Sequence, residues 1–310
     1  MPKRTRRPAT PAATSPDLRQ QILDDFQALR IPLRPEQLDA AVARAEREGL
    51  SHLDFLRALV GEQADRRRER AVAHRIREAR FRDGKTLADF DWQFNATAID
   101  RTRIEALATA DFVGRRENLV LVGQSGVGKS HIIQAIGQRA CVLGYRVRYT
   151  TSADAIAHLT ASLADQSLPR RLREYARVDL LILDEFGFDR IERAEARQAA
   201  SLLYKLIDAR SPNRSTALVT NIDFEAWADY LGDPPLAMAF LDRIVDGAII
   251  VKINGKSYRA HRAQPSPSTK GDQIGGRSRN GPSRAAMYPS YQPRLTPPGS
   301  QDTQSAESNP

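Results

Sequence analysis

A glycine-rich loop that follows an apolar segment constrains this chain more than any other feature. Residues 119–130 read LVLVGQSGVGKS and contain the pattern G-x-x-x-x-G-K-S. Its glycines let the backbone bend so that successive N–H groups point at a phosphate, and a following helix adds its positive N-terminal end. We expect Lys129 on the β- and γ-phosphates and Ser130 on Mg²⁺. The residues predicted to bind a nucleotide here are Gly123, Gln124, Ser125, Gly126, Val127, Gly128, Lys129, Ser130 and His131.

The residues around the loop favour this interpretation over the alternative, a structural glycine turn. Residues 118–122 have the composition of a strand, and Ile132, Ile133, Ile136 and Ala140 recur at helical spacing after the loop. A strand, a glycine-rich loop and a helix in this order form the context in which such a loop binds phosphate.

A second apolar run is followed by carboxylates. Residues 180–183 are LLIL, which is typical of a strand buried on both faces of a parallel sheet, and Asp184 and Glu185 come next. Carboxylates at the carboxyl end of such a strand lie in the crevice where open α/β sheets bind ligands. We therefore expect Asp184 to hold Mg²⁺ and Glu185 to orient or deprotonate the attacking water. Alternatively, the two residues merely end a core strand and open a turn at Gly187.

The charge of the chain favours a polyanionic partner. Its 310 residues carry a formal net charge of +9, and one basic run occupies residues 2–7. In a second run, residues 65–85, nine Lys or Arg face four Asp or Glu. We expect this run to contact the backbone of double-stranded DNA without reading its sequence; the alternative is a solvated helix face. The predicted DNA contacts are Arg66, Arg67, Arg68 and Arg70.

Several other functions are disfavoured by the sequence. No continuous run of apolar residues is long enough for an ordinary membrane-spanning helix, so we expect no membrane partner and a cytoplasmic protein. The single cysteine, Cys141, cannot form an internal disulfide and is expected in the core. The five histidines lack metal-ligand spacing, and we predict no zinc site.

The order of predicted elements indicates an α/β fold. Three short helices come first. The third is expected to carry an apolar stripe (Leu53, Leu56, Leu59 and Val60), to continue as a solvated helix through the arginine-rich segment, and to end at Asp83 and Gly84. From residue 118 onward strands alternate with helices. The strands are predicted at 118–122, 146–150, 179–184, 216–220 and 248–253. This alternation predicts a parallel five-stranded sheet with helices on both faces. The expected regions are a disordered basic N-terminus (1–16), a small all-helical N-terminal domain with the basic helix (17–85), the α/β domain (86–262) and a disordered tail (263–310).

Several segments together resemble the IstB-like ATP-binding helper proteins of insertion sequences. These segments are residues 86–91 (TLADFD), 123–131 (GQSGVGKSH), 183–187 (LDEFG), 218–221 (LVTN), 241–243 (LDR) and 255–259 (GKSYR). That family is a branch of the AAA+ ATPases and is similar to the DnaC helicase loaders. The resemblance covers about residues 17–262, so it implies that residues 86–262 form a P-loop AAA+ domain using ATP and Mg²⁺.

The resemblance implies roles for three further residues. Asn221 would be a polar sensor near the γ-phosphate, unless it caps the next helix. Arg243 would be an arginine finger acting on a neighbouring subunit's nucleotide; a surface salt bridge to Asp242 or Asp246 is the alternative. Arg259 would be a second sensor within its own subunit.

Taken together, the residues and the resemblance predict an ATPase that assembles on double-stranded DNA as a homo-oligomer through its ATP site. It would help a transposase encoded by the same element to choose or capture a target. A replicative-helicase loader with the same ATPase site is the main alternative. A small-molecule kinase would need an acceptor-binding lid and a base, and neither the basic helix nor Arg243 would have a purpose there.

Overall fold

The computed structural model describes residues 16–188 and 193–263. Residues 1–15 and 264–310, which make up most of the two segments predicted to be disordered, lie outside the described residues. No helix in the described ranges is long and apolar enough to cross a membrane.

A five-stranded parallel sheet is the centre of the structure, as predicted. Its strands are β1 (Leu119–Gly123), β2 (Val147–Thr151), β3 (Leu180–Phe186), β4 (Ser215–Thr220) and β5 (Ile249–Ile253). Their spatial order is β2-β3-β4-β1-β5, and every pairing is parallel. The carboxyl ends of β1, β3 and β4 therefore lie side by side at one edge of the sheet, where an α/β fold binds its ligands.

Alternation along the strands divides the core into two layers. Leu119 and Leu121 pack into one cluster of buried residues, whereas Val120 and Val122 pack into another on the opposite face. Successive side chains of a strand point to opposite faces, so a strand that is apolar at every position has both faces covered. The predicted arrangement of helices on both faces of the sheet is confirmed.

The described helices are α1 (Pro16–Ala28), α2 (Pro35–Glu48), α3 (His52–Ala79), α4 (Arg101–Leu107), α5 (Asp111–Gly114), α6 (Lys129–Val142), α7 (Ser152–Ala164), α8 (Leu168–Ala176), α9 (Arg193–Asp208), α10 (Trp227–Leu231), α11 (Pro234–Val245) and α12 (Tyr258–Ala263). A short 3-10 turn, Phe224–Ala226, precedes α10. Helix α6 begins at the lysine of the glycine-rich loop, so its N-terminal end faces the loop.

The long helix α3 begins and ends for identifiable reasons. The Ser51 side chain accepts a hydrogen bond from the backbone N–H of Asp54, which caps the first turn. We expected Asp83 and Gly84 to break this helix, but it ends at Ala79. Arg80 adopts the left-handed conformation with φ of 58°, which stops the helical hydrogen-bond ladder before the glycine is reached.

The two ends of α3 differ in burial. Leu53, which we placed on an apolar stripe, is 78% exposed, and Leu56 is also exposed, although Leu59 is buried. At the other end, Ala79 is fully buried and Ile76 packs against the core beneath the sheet. The arginine-rich segment is therefore solvated at its start, as expected, but packed against the α/β core at its end.

Candidate functional site

A cleft of about 410 Å³ lies at the carboxyl edge of the sheet. Its lining includes the glycine-rich loop from Ser125 to His131, together with Asp184, Glu185, Asn221 and Arg259. The structure therefore brings most of the predicted nucleotide and metal residues into one cleft, although they come from segments far apart in sequence.

Two glycines in the loop are needed for its shape. Gly126 and Gly128 have φ of +85° and +101°, a region that side chains disfavour. A Cβ at Gly128 would lie 2.8 Å from the ring of Phe90. The loop therefore combines a left-handed backbone with close packing against the segment that precedes the sheet.

Lys129 is buried at the base of the loop. Its Nζ donates hydrogen bonds to the carbonyl oxygens of Gly123 and Gln124, at 2.6 and 2.8 Å. Burial lowers the pKa of Lys129, the nearby Arg259 lowers it further, and Asp184 opposes both. A buried ammonium whose hydrogen-bond acceptors are neutral carbonyls is well suited to a polyphosphate, which would supply further negative charge.

Asp184 is held by three hydrogen bonds, and its side chain is almost fully buried. Its Oδ1 accepts from the Ser130 hydroxyl at 3.2 Å and from the Glu185 backbone N–H at 2.8 Å. Its Oδ2 accepts from the Tyr149 hydroxyl at 2.8 Å. Burial raises the pKa of the Tyr149 phenol, and the charge of Asp184 adds to this, so the phenol remains a donor.

This donor set fits Mg²⁺. A hydroxyl and a carboxylate oxygen next to each other are hard ligands, and Mg²⁺ bound with nucleotides takes few protein ligands and several phosphate and water oxygens. Within the described ranges, no group of three or more His, Cys, Asp or Glu could hold a metal alone. Ser130 and Asp184 therefore fit an ion that is bound together with its phosphates.

Glu185 has an unusual backbone and a cationic neighbour. Its φ is 59°, in the left-handed region, and the pairing of β3 with β4 shifts register between Leu183 and Phe186. A non-glycine residue in this region is strained and is frequent at functional sites. The Arg82 Nη1 donates to Glu185 Oε1 at 2.9 Å, a contact that the sequence analysis did not anticipate.

Tyr149 and the aromatic segment before the sheet also contribute side chains that sequence reasoning missed. Phe90, Phe94 and Asn95 line the cleft. The Thr86 carbonyl oxygen lies 2.7 Å from His131 Nε2, and the Phe90 and His131 rings meet edge to face. The sequence shows this segment as a run of aromatic residues, but nothing in the sequence places that run against the glycine-rich loop.

Asn221 and Arg259 both line the cleft. Asn221 follows the last residue of β4, and the residue at the N-cap of the next turn is Asp223. Asn221 is therefore not the N-cap of the next helical turn, which was the alternative to a sensor role. Arg259 comes from the start of α12, close enough to lower the pKa of Lys129.

Arg243 does not line this cleft among the residues described. Its Nε lies 3.3 Å from Oδ1 of Asp208, rather than contacting Asp242 or Asp246. Its backbone oxygen accepts a hydrogen bond from Asn118, just before β1 begins. The loop follows the other end of β1, so the strand, at roughly 3.3 Å per residue or about 16 Å in all, separates Arg243 from its own loop.

The predicted DNA contacts, Arg66, Arg67, Arg68 and Arg70, are called the basic stretch below. All four are exposed on α3. Arg66 pairs with Glu62 and Arg68 with Asp65, within the helix. Exposed pairs of this kind contribute only about 0.2–1 kcal/mol each, so they leave the guanidinium groups available to another anion.

Comparison with known proteins decides the family. The family model for the IstB-like ATP binding protein matches residues 25–266. The chain belongs to this family. An insertion sequence IS21 putative ATP-binding protein from Pseudomonas aeruginosa is 33% identical over 241 residues, which are 76% of this chain and 89% of that protein. An insertion sequence IS232 putative ATP-binding protein from Bacillus thuringiensis subsp. berliner is 31% identical, covering 77% of this chain and 94% of the relative.

Among solved structures, the fold of the chain is similar to a crystal structure of DnaI. The match has a TM-score of 0.44 and 23% identity, and it covers 55% of this chain and 90% of that chain. The family membership and the parallel sheet agree with the expected P-loop AAA+ fold. The chain is an ATP-binding protein of the insertion-sequence type.

Proposed function

We propose that this chain hydrolyses ATP in the cleft and uses ATP to assemble on double-stranded DNA as a helper of a transposase. One observation carries the ATPase part. Ser130, Asp184 and Glu185, which come from the loop and from a separate strand, lie together at the end of a glycine-rich phosphate loop. Nucleotide binding alone does not require a strained glutamate beside the buried carboxylate.

The residues of the loop would bind the phosphates. The backbone N–H groups of residues 123–131 and the start of α6 favour negative charge, and Lys129 adds a buried cation. Ser130 and Asp184 would hold Mg²⁺, which neutralises charge on the phosphates when it is bound. Tyr149 keeps Asp184 in place through its hydroxyl.

Glu185 is the group assigned to the attacking water. It lies next to the metal residue, lines the cleft and is partly exposed, so a water molecule can reach it. Asn221, with a neutral amide, would hydrogen-bond that water or a phosphate oxygen, and Arg259 would stabilise phosphate charge from the same subunit.

Arg243 would complete the site of a neighbouring subunit. The length of β1 separates it from its own loop, and its guanidinium is on the surface. An arginine in that position can stabilise the transferring phosphoryl group only across an interface. This supports a homo-oligomer whose interfaces contain the ATP sites.

The partners follow from charge and from the relatives. The exposed basic stretch favours contact with the DNA backbone, which is independent of base sequence. The relatives' names place them in insertion sequences, and the described residues include no separate carboxylate cluster for nuclease chemistry. Strand transfer would therefore belong to a transposase encoded by the same element.

The decisive experiment compares Lys129→Ala with Glu185→Gln. Loss of the buried ammonium should abolish ATP binding, because the phosphate charge is no longer neutralised. Glu185→Gln should retain binding but reduce turnover by at least about 10²-fold, since the amide cannot take a proton from water. Binding is measured with a fluorescent ATP analogue and turnover by phosphate release. Hydrolysis by Glu185→Gln at the wild-type rate would remove the water-activating role from Glu185.

A further inference from the structure

The segment between α3 and the aromatic run places an arginine on Glu185. The Arg82 guanidinium lies 2.9 Å from Glu185 Oε1, although 103 residues separate the two in sequence. This hydrogen bond, with the charge of Glu185 beside it, raises the pKa of Arg82. In the sequence, Arg82 belongs to the same basic run as the arginines proposed to contact DNA, yet in the structure its partner, Glu185, lines the cleft.

The backbone on both sides of Arg82 is anchored to the helix that follows the phosphate loop. The Asp83 N–H donates to the side chain of Gln134, and the Gln138 side chain donates to the carbonyl of Lys85. Both glutamines belong to α6 and are buried. Phe81 packs against the core on the other side. The backbone at Arg82 is therefore held beside the cleft, whereas the Arg82 side chain is half-exposed and can exchange partners.

The same segment is continuous with the basic helix. Arg75, on α3, donates to the carbonyl oxygen of Cys141 at the end of α6, at 2.8 Å, and Ala79 is buried. Arg82 comes three residues after the last residue of α3. The helical segment from Arg70 to Ala79 spans about 14 Å, so the basic stretch and Arg82 belong to one continuous part of the chain.

The guanidinium of Arg82 occupies one carboxylate oxygen of Glu185. Activation of water requires a carboxylate oxygen that is free to hydrogen-bond the water, so the pair holds Glu185 away from this role. The side chains of Arg82 and Glu185 are 53% and 34% exposed, so solvent weakens their attraction. The pair can therefore form and break readily, as a reversible restraint on Glu185 requires.

We propose that Arg82 is a positioning residue that restrains Glu185, and that DNA bound along the basic helix draws the exposed Arg82 guanidinium off Glu185 and so releases it for hydrolysis. This inference rests on the proposed function, because it requires Glu185 to act on the attacking water. It adds a connection within one chain between the basic helix and the rate of ATP turnover.

The test measures single-turnover ATP hydrolysis with the protein in saturating excess over ATP and with saturating Mg²⁺, in the presence and absence of duplex DNA. Without DNA, Arg82→Ala should raise the rate constant roughly twofold to fivefold, the range a half-exposed ion pair can control. Its affinity for ATP should not change. Arg82→Lys, which can remake the pair, should stay near the wild-type rate. Arg77→Ala is the matched control, since it removes an exposed charge from the same segment without touching Glu185.

Two further variants test whether a change in rate comes from the loss of the pair or from a folding defect. Arg82→Gln keeps most of the side-chain length and should also accelerate hydrolysis, while thermal denaturation and ATP binding verify that each variant is folded. Acceleration must disappear in Arg82→Ala with Glu185→Gln, because the effect acts through the glutamate. DNA should stimulate Arg82→Ala by a smaller factor than the wild type; equal factors would overturn the connection to α3.

The outcomes separate this inference from the proposed function. If Glu185→Gln hydrolyses ATP normally, the water-activating role of Glu185 fails and the inference fails with it. If Glu185→Gln is inactive but folded Arg82→Ala and Arg82→Gln are no faster than the wild type, only the restraint by Arg82 is overturned.

Discussion

The cleft and the basic stretch of α3 are both rich in charged groups, but the two regions hold them differently. In the cleft, Asp184 has three hydrogen-bond donors and Lys129 two carbonyl acceptors, and both side chains are buried. On α3, the four arginines are exposed, and the ion pairs described for two of them are with neighbours on the same helix. Buried charges need specific partners, whereas exposed charges are hydrated and exchange partners easily.

This difference indicates how each region works. A single substitution in the cleft removes a group that has one place and one role, so its effect should be large and specific. On α3, each arginine would contribute a small amount to the electrostatic free energy of binding. This amount is similar for any anionic backbone, and the contributions of the arginines add.

The largest effect in this comparison is expected at Arg243, which would act in the cleft of a neighbouring subunit. Arg243→Ala should retain ATP binding in each monomer but lose hydrolysis by about 10³-fold or more, because an arginine finger stabilises charge in the transition state. Mixing tests whether the residue acts across subunits. Arg243→Ala retains Glu185, and Glu185→Gln retains Arg243, so some interfaces in mixed assemblies on DNA have both groups. Part of the ATPase activity should then return.

The control for this mixture is each variant alone at the same total concentration with DNA. A mixture that assembles, measured by light scattering, but remains as inactive as the two separate variants would argue against action across subunits. In that case the assignment of Arg243 to a neighbouring subunit's site would be dropped.

A stability measurement compares a buried position behind the cleft with an exposed position on α3. Phe240 is fully buried and stacks on Phe186, with ring centroids 5.5 Å apart, behind the strand that carries Asp184. Phe240→Ala should lower the free energy of unfolding by about 3–5 kcal/mol. Leu53→Ala, at an exposed position of α3, should change it by less than about 0.5 kcal/mol. Chemical denaturation measures both, and a similar destabilisation by the two substitutions would mean that α3 is covered in solution.

The smallest effect per residue is expected in the basic stretch. Replacing Arg66, Arg67, Arg68 and Arg70 by Ala should weaken binding to all duplex sequences alike. The slope of log affinity against log salt should become flatter by roughly 0.9 for each DNA phosphate that the variant no longer neutralises. Fluorescence anisotropy with two unrelated duplexes at several salt concentrations measures both quantities.

The matched control removes two exposed cations from another helix. Arg44 and Arg47 lie on α2, and Arg44 is paired with Glu48. Their replacement by Ala should leave the salt slope unchanged. If the basic-stretch variant also keeps the wild-type slope, its arginines form a solvated face and the DNA contact must lie elsewhere.

The sequence predicted the sheet well because its strands carry a strong local signal. Each of the five predicted strands overlaps an observed strand, and the starts differ by one residue. The end of α3 was predicted less well. A glycine after an aspartate is a reasonable stop signal, but the packing of Ala79 against the core favours an earlier turn at Arg80.

The cleft could be assembled from sequence only in part. The loop and the strand ending in Asp184 and Glu185 have recognisable patterns, and parallel strands place their carboxyl ends together. The contacts of Tyr149 and Arg82 with this carboxylate pair have no such pattern, because they join segments that are 35 and 103 residues away. Their roles, like those of Asn221, Arg243 and Arg259, stay predictions until they are tested.

The sequence by itself determined the phosphate loop, the alternation of strands and helices, and the family of this protein, because each depends on local spacing of residue types. Only the tertiary structure decided which residues of the basic run are exposed on α3 and which contact the cleft. Arg68 and Arg82 belong to one basic run, yet one is exposed on α3 and the other contacts Glu185. The reason is that α3 leaves the core at one end and is packed against it at the other, and packing over long sequence distances is not encoded in any local pattern.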